Sequence, residues 1–175
     1  MSELSLGTLS GLAANSYVID VAAGSQLTQP GMILQVVSTT KTDEFSTTST
    51  SYVDVTGVSA SITPRSTSSK ILVSLTVGAI DTASTSLNLL GRVLRDSTAI
   101  GVGSSGDAAG FALSTAAGNR PQTAVWSFAD SPASTSTLTY KFQTRLLTSG
   151  TMYVNRPASD SSRAVTTITL MEVAG

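Results

Sequence analysis

The sequence contains no cysteine and no histidine among its 175 residues, and only 12% of them are charged. Without histidine, neither a Ser-His-Asp triad nor a Cys-His pair can form, and no side chain has an ordinary pKa near neutrality. Without either residue type, the usual ligand sets for zinc, copper, haem and iron–sulfur clusters cannot be assembled. Disulfide bonds are excluded too, so cysteine usage says nothing about the redox compartment. We therefore expect no metal site and no cofactor.

The chain also lacks any concentration of charge of one sign. Ten Lys and Arg residues face eleven Asp and Glu residues, and they are spread along the sequence. A nucleic-acid partner would require a basic patch, and none is present. No apolar run approaches the ~20 residues of a membrane helix, and the N-terminus lacks the basic and apolar regions of a signal peptide. We expect no nucleic-acid binding, no membrane insertion and no classical secretion.

Hydroxyl side chains are abundant, since Ser and Thr make up about a third of the chain. Such a composition can indicate disorder, but a disordered chain is also poor in apolar residues and strongly charged. Here 41% of the residues are hydrophobic and the formal net charge is -1. The length suits one domain, or one domain with an arm. The composition therefore predicts a folded, neutral domain rich in strands.

Apolar residues recur at spacing two in several segments, which is typical of antiparallel strands with one buried face. The clearest examples are Lys70–Ile80 and Leu138–Leu147. The side chains predicted to form the core are Ile71, Val73, Leu75, Trp126, Phe128, Tyr140, Phe142, Ile168 and Leu170. Ordinary packing explains Trp126, Tyr140 and Phe142 better than a sugar-binding groove, because they share a face with other apolar residues.

Turn residues separate these segments at intervals of about 8–12 residues, as in a sandwich, jelly roll or small barrel. The further predicted strands are Tyr17–Ala22, Met32–Ser38, Tyr52–Thr56, Ser59–Thr63, Ser86–Arg95, Thr98–Val102, Gln122–Ala129, Met152–Asn155 and Ala164–Val173. No segment has a convincing helical stripe longer than two turns. The predicted fold is all-β: an antiparallel, jelly-roll-like sandwich of at least eight strands.

Two regions stand apart from this sandwich. Residues 1–30 form a predicted attachment arm, and residues 31–175 form the head domain. The arm is too apolar for a solvated tail and too short to fold alone, so we expect it to dock on another chain. Its candidate contact residues are Leu4, Leu6, Leu9, Leu12, Tyr17, Val18 and Ile19. The second region is a predicted loop, Gly103 to Arg120, whose candidate exposed residues are Asp107, Phe111, Asn119 and Arg120.

The motifs that could carry chemistry are weak. Gly101-Val102-Gly103-Ser104-Ser105-Gly106 matches the dinucleotide pattern, but no helix-period face follows it, so we interpret it as a turn. The carboxylates lie mostly next to Ser or Gly, where Asp commonly caps its own backbone, and none has the context of an acid/base pair. Arg92 and Arg95 point to opposite faces of their strand, and an inward one would need Asp96 or Glu172 as partner. No catalytic residue is predicted.

Several segments, in order, resemble those of a known group of proteins. They are Gln29 to Val37, Ile62 to Val73, Arg92 to Gly101, Ser127 to Pro132, Leu138 to Lys141, Tyr153 to Arg156 and Thr166 to Val173. The chain resembles short virion proteins of marine tailed bacteriophages, described as tail-fibre or fibre-like proteins. The resemblance implies a trimeric β-sandwich head on a short stem, located in a virion, without catalytic residues. Only residues 1–30 precede the head, so a capsid fibre or decoration protein is as open as a tail fibre.

Three hypotheses follow from the sequence. The first is a homotrimeric virion appendage whose arm binds other capsid or tail proteins. The second is a carbohydrate- or receptor-binding module at a tail tip, with a host surface glycan as partner. The third is a small hydrolase that uses two carboxylates, for which no matched pair is recognised.

Overall fold

The computed structural model describes residues 29–82, 88–104, 106–114, 121–156 and 162–175, and these form strands, turns and loops without a helix. Accordingly, no helix suited to crossing a membrane occurs in these ranges. The strands are Ile33–Lys41 (β1), Phe45–Thr47 (β2), Val53–Ile62 (β3), Lys70–Thr82 (β4), Asn88–Arg95 (β5), Thr98–Ile100 (β6), Phe111–Ser114 (β7), Gln122–Asp130 (β8), Leu138–Leu146 (β9), Met152–Val154 (β10) and Thr166–Val173 (β11).

One sheet, which we call the β4 sheet, is built around the longest strand. β8 pairs with one edge of β4, and both β11 and β10 pair with its other edge. β1 pairs with β11 and β2 pairs with β10, all antiparallel. β1 and β2 therefore run in one direction as an interrupted strand, and β10 and β11 form a second interrupted strand beside it. The sheet is four strands wide, in the order β8, β4, β10/β11 and β2/β1.

The other sheet, the β9 sheet, has the same width. β9 lies between β3 and β5, and the outer edge of β5 pairs with β7 and β6 along its length. The order is β3, β9, β5 and β6/β7, again antiparallel throughout.

The path of the chain between the sheets defines the topology. It passes from β1/β2 to β3, back to β4, over to β5, through the hairpin to β6/β7, and then to β8, β9 and β10/β11. Every connection except this hairpin crosses between the sheets. Eight strand positions divided in this way between two four-stranded sheets form a jelly roll. The predicted fold class is confirmed.

The core lies between the two sheets and follows the predicted alternation. Ile71, Val73 and Leu75 are fully buried, while Leu72 between them is exposed to 37%. Tyr140, Phe142, Ile168 and Leu170 are also fully buried. Burying a large aliphatic or aromatic side chain contributes about 1.5–3 kcal/mol, so this shared interior is the main stabilising element of the sandwich.

Trp126 and Phe128 point to the predicted face but are only partly buried, because β8 is the edge strand of its sheet. The loop between β6 and β7 covers them. A Cβ atom at Gly110 would lie 2.3 Å from the Trp126 ring, and one at Gly101 would lie 2.8 Å from the Phe128 ring. Gly101 also has a φ of 60°, so both space and backbone conformation require glycine there. The glycine-rich segment that begins at Gly101, interpreted from the sequence as a turn, belongs to this covering loop.

The structure differs from the sequence prediction at several elements. Tyr52–Thr56 and Ser59–Thr63, predicted as two strands, form the single strand β3 with a bulge between Asp54 and Ser59. The short strands β2 and β7 were not predicted. Phe111, predicted as an exposed loop residue, lies in β7 with its ring stacked on Phe142 at 5.9 Å. The arm candidates, and Asn119 and Arg120, lie outside the described residues.

Candidate functional site

Each carboxylate among the described residues has a specific partner. The pairs are Asp43 with Lys41, Glu44 with Arg156 and Arg163, Asp54 with Lys141, Asp81 with the Thr82 N–H, Asp96 with the Thr139 N–H, Asp107 with Arg145, Asp130 with Arg95, and Glu172 with Gln35 and the Arg65 N–H. Within the described ranges, no three acidic side chains come together as a metal-binding group. The partners of these carboxylates are basic side chains, a glutamine side chain and backbone N–H groups.

A partly buried polar cluster joins the two sheets at the edge strand β8. Arg95 Nη1 donates to both carboxylate oxygens of Asp130 at 2.7 Å, and the Tyr140 hydroxyl donates to Oδ2 at 2.7 Å. Burial raises the pKa of Tyr140 far above its ordinary value, and the adjacent Asp130 carboxylate raises it further. A phenol held neutral in this way acts as a hydrogen-bond donor. The partner of Arg95 is thus Asp130, and the prediction of Asp96 or Glu172 was wrong.

Glu172 is completely buried near the end of β11. Gln35 Nε2 donates to Oε2 and the Arg65 N–H donates to Oε1, both at 2.6 Å. Burial raises the pKa of this carboxyl, but the hydrogen bonds outweigh it and the pKa lies below the ordinary value. A surface cavity of about 290 Å³ lies nearby, lined mainly by serines and chain-terminal residues: Leu34, Arg65, Ser66, Ser68, Ser69, Ala174 and Gly175. The hydrogen bonds from Gln35 and from the Arg65 N–H connect the end of β11 to β1 and to the loop before β4.

The outer surface of the β4 sheet, which we call the neutral face, carries no charge across three successive rows of side chains. The rows run across the four strands as Val36, Met171, Leu72 and Ala129; Ser38, Thr169, Ser74 and Ser127; and Thr40, Thr167, Thr76 and Val125. Several of the aliphatic side chains are well exposed: Val125 to 69%, Val36 to 56% and Leu72 to 37%. The closest charged side chain along β4 is Lys70, beyond the first row.

The hydroxyl groups of the neutral face are largely paired with one another. Ser38 and Thr169 are 3.0 Å apart, Thr40 and Thr167 are 3.1 Å apart, and Ser127 donates to Ser74 at 3.1 Å. A polar group that already has a partner loses less when water is removed than one left unsatisfied. The neutral face can therefore be covered at little desolvation cost.

The outer surface of the β9 sheet, the charged face, is different in chemistry. Asp54 pairs with Lys141 at 2.8 Å and accepts a hydrogen bond from Gln143, which in turn accepts one from Arg92. Burial raises the pKa of Asp54, but the hydrogen bonds from Lys141 and Gln143 lower it below its ordinary value. The charges of this face are thus mutually compensated within the chain.

Asp107, a predicted exposed residue, lies beside this charged face. Its carboxylate pairs with Arg145 at 2.5 Å, and its backbone carbonyl accepts a hydrogen bond from the Tyr52 hydroxyl at 3.0 Å. The guanidinium of Arg92 lies 3.8 Å from the centre of the Tyr52 ring, and Arg156 lies at the same distance from the Tyr153 ring. Since sugars bind aromatic side chains through free ring faces, these contacts occupy one face of each tyrosine.

No family model matches the chain, and a search of curated proteins finds no relative. Among solved structures, the chain is similar to those of infectious bursal disease virus. The structure of the Gx strain is 14% identical, with a TM-score of 0.39, covering 91% of this chain and 46% of the other. The VP2 subviral particle of the same virus is 14% identical, with a TM-score of 0.40, covering 81% and 38%. This chain spans less than half the length of those chains, and its jelly-roll topology is established by its own strand order.

Proposed function

We propose that this chain is a non-enzymatic structural protein of a bacteriophage virion, a homotrimeric fibre-like appendage anchored to the particle by its N-terminal arm. The observation that carries the proposal is the engagement of every described carboxylate by a structural partner. In a chain without His or Cys, carboxylates are the main remaining route to acid/base chemistry, and here they hold strands and loops together. The resemblance of the sequence to fibre-like virion proteins supports the same conclusion.

The arm supplies the attachment in this proposal. Burying each of its leucines against another virion protein would contribute about 1.5–3 kcal/mol before ordering costs. Among the described residues, the core draws on Val37, Phe45 and side chains from Val55 onward, and the first strand begins at Ile33. We therefore expect the head to fold without the arm.

The test uses a variant that starts at Gln29, compared with the full chain. We expect the shortened protein to keep its strand spectrum by circular dichroism and to be absent from purified particles, as measured by quantitative mass spectrometry. A full-length variant with Leu4, Leu6, Leu9 and Leu12 changed to Ser keeps the length of the chain, and it should also be absent from the particles. Unchanged occupancy by the shortened protein would show that the head attaches. Absence of the full chain from the particles would overturn the virion role.

The alternative, a receptor-binding module at a tail tip, remains a proposal from the sequence. The described aromatic candidates favour it less, because the β6–β7 loop covers Trp126 and Phe128 and arginines cover Tyr52 and Tyr153. Glycan binding by the shortened protein would favour this alternative.

A further inference from the structure

The neutral face is an unusual surface for this molecule, because the other sheet carries its charges outward. An isolated sandwich in water has no need to keep three successive rows of a sheet face free of charge, while a subunit interface does: charged side chains are depleted in the cores of interfaces. The two sheets of one fold thus differ in the charge of their outer faces. This difference suggests that another chain covers the outer face of the β4 sheet.

The chemistry of the neutral face selects the kind of partner. An acidic or basic partner would find no opposite charge across the three rows. A second copy of the same face meets no like-charge repulsion, and its internally paired hydroxyls leave few donors unsatisfied. A neutral surface with exposed Val36, Leu72 and Val125 therefore fits a copy of itself.

The row pattern also fits a cyclic arrangement. Rotation about an axis parallel to the strands leaves every residue at its own height along that axis. In a ring of copies around such an axis, each row meets the same row of its neighbours. The row of Val36 and Leu72 then packs on aliphatic side chains, and the row of Ser38 and Ser74 meets hydroxyl groups.

We infer that the neutral face binds the same face of two further copies of this chain, around a three-fold axis parallel to its strands. This inference rests on the proposed homotrimer and specifies the surface that forms it. Thr76 and Val125 lie side by side in the third row. An ionised side chain at either position would be repeated three times at one height.

The experiment compares the same substitution on the two faces of the full-length chain. Thr76 in the neutral face and Thr56, which lies at the bulge of β3, are both exposed, so Thr76→Asp and Thr56→Asp compare the same substitution on the two sheets. Circular dichroism checks the fold, and analytical ultracentrifugation gives the mass. We expect the wild type and Thr56→Asp to have the mass of three chains. Thr76→Asp should raise the dissociation constant by about a hundredfold or more.

A mixing experiment identifies the partner of the face. Thr76→Lys alone should also dissociate, but mixed with Thr76→Asp it should form assemblies again, because the opposite charges meet at one height. Thr76→Asp that stays trimeric would overturn the inference and leave the proposed homotrimer standing. A monomeric wild type that is still found on particles would overturn both homotrimer and inference, but not the virion role. Equal dissociation of Thr56→Asp and Thr76→Asp would show that the neutral face is not specific.

Discussion

Asp130 is the residue through which the two sheets are tied at the β8 edge. It receives two hydrogen bonds from Arg95 and one from Tyr140, and its side chain is 10% exposed. Asp130→Asn would leave the Arg95 charge partly buried without its partner. We expect a loss of about 2–4 kcal/mol in the free energy of unfolding, since removing one member of such a pair leaves an uncompensated charge. Urea denaturation at fixed protein concentration measures it.

The control is the same substitution in an exposed pair. Asp54→Asn removes the ion pair with Lys141. The side chains of Lys141 and Asp54 are 31% and 49% exposed, so the free energy of unfolding should fall by less than about 1 kcal/mol. Equal losses in the two variants would show that burial does not decide the strength of these pairs.

At the scale of single residues, the sequence predicts which face of a strand points inward but not which polar groups meet. Ile71, Val73 and Leu75 follow from alternation alone, because a period of two fixes the face. An inward-facing arginine was expected to need a carboxylate, and Arg95 has one. The partner is Asp130 because of the way the two sheets pack together, and a local sequence pattern carries no information about that packing.

Asn155 explains how two broken strands lie side by side in the β4 sheet. It is fully buried, with a φ of 66°, and directly follows the last residue of β10. Its Nδ2 donates to the carbonyl of Lys41, the last residue of β1, and to that of Asp43, between β1 and β2. Its Oδ1 accepts from the Thr166 hydroxyl. One side chain thus satisfies the backbone groups that the break in the neighbouring strand leaves free.

Substitutions at Asn155 separate the hydrogen bonds from the backbone conformation. Asn155→Gly keeps the left-handed φ and loses the side-chain bonds, so we expect a loss of about 2–3 kcal/mol. Asn155→Ala loses the same bonds and also strains the backbone at a positive φ. It should therefore be about 1 kcal/mol less stable than Asn155→Gly. Thermal and chemical denaturation of the two variants give the difference. An alanine variant as stable as the glycine variant would mean that the φ carries no strain.

The elements that the sequence missed share a physical reason. β2 and β7 are three and four residues long, too short for alternation to be visible. β2 pairs with the equally short β10, and β7 pairs with only the first half of β5. Phe111 was assigned to a loop because small residues surround it. Gly91, against which its ring packs, lies twenty positions earlier in the chain, so the contact has no local signal.

The whole molecule is a jelly roll because its hydrophobic alternation, turn spacing and lack of helical periodicity agree. The sequence therefore predicts the class and most strands. It does not predict which strands share a sheet, since β1 pairs with β11 across nearly the full length of the described chain. The neutral face follows the same logic: Ser74, Thr76, Thr167 and Thr169 are visibly hydroxyl-rich, but only the register aligns them into rows.

The pH dependence of stability is a property of the whole molecule, because no histidine titrates in the neutral range. Glu172, with a pKa lowered in the folded state, contributes stability above its unfolded value near 4.5 and loses it as the pH falls through its folded pKa. Tyr140, with a raised pKa, contributes fully below its unfolded value near 10 and loses stability as the pH rises further. We expect a free energy of unfolding that is flat between about pH 6 and 9 and falls on both sides. Denaturation midpoints measured within this range and on both sides of it test the expectation. Glu172→Gln should flatten the acid slope and Tyr140→Phe the alkaline one. A transition near pH 6.5 in the wild type would contradict this account.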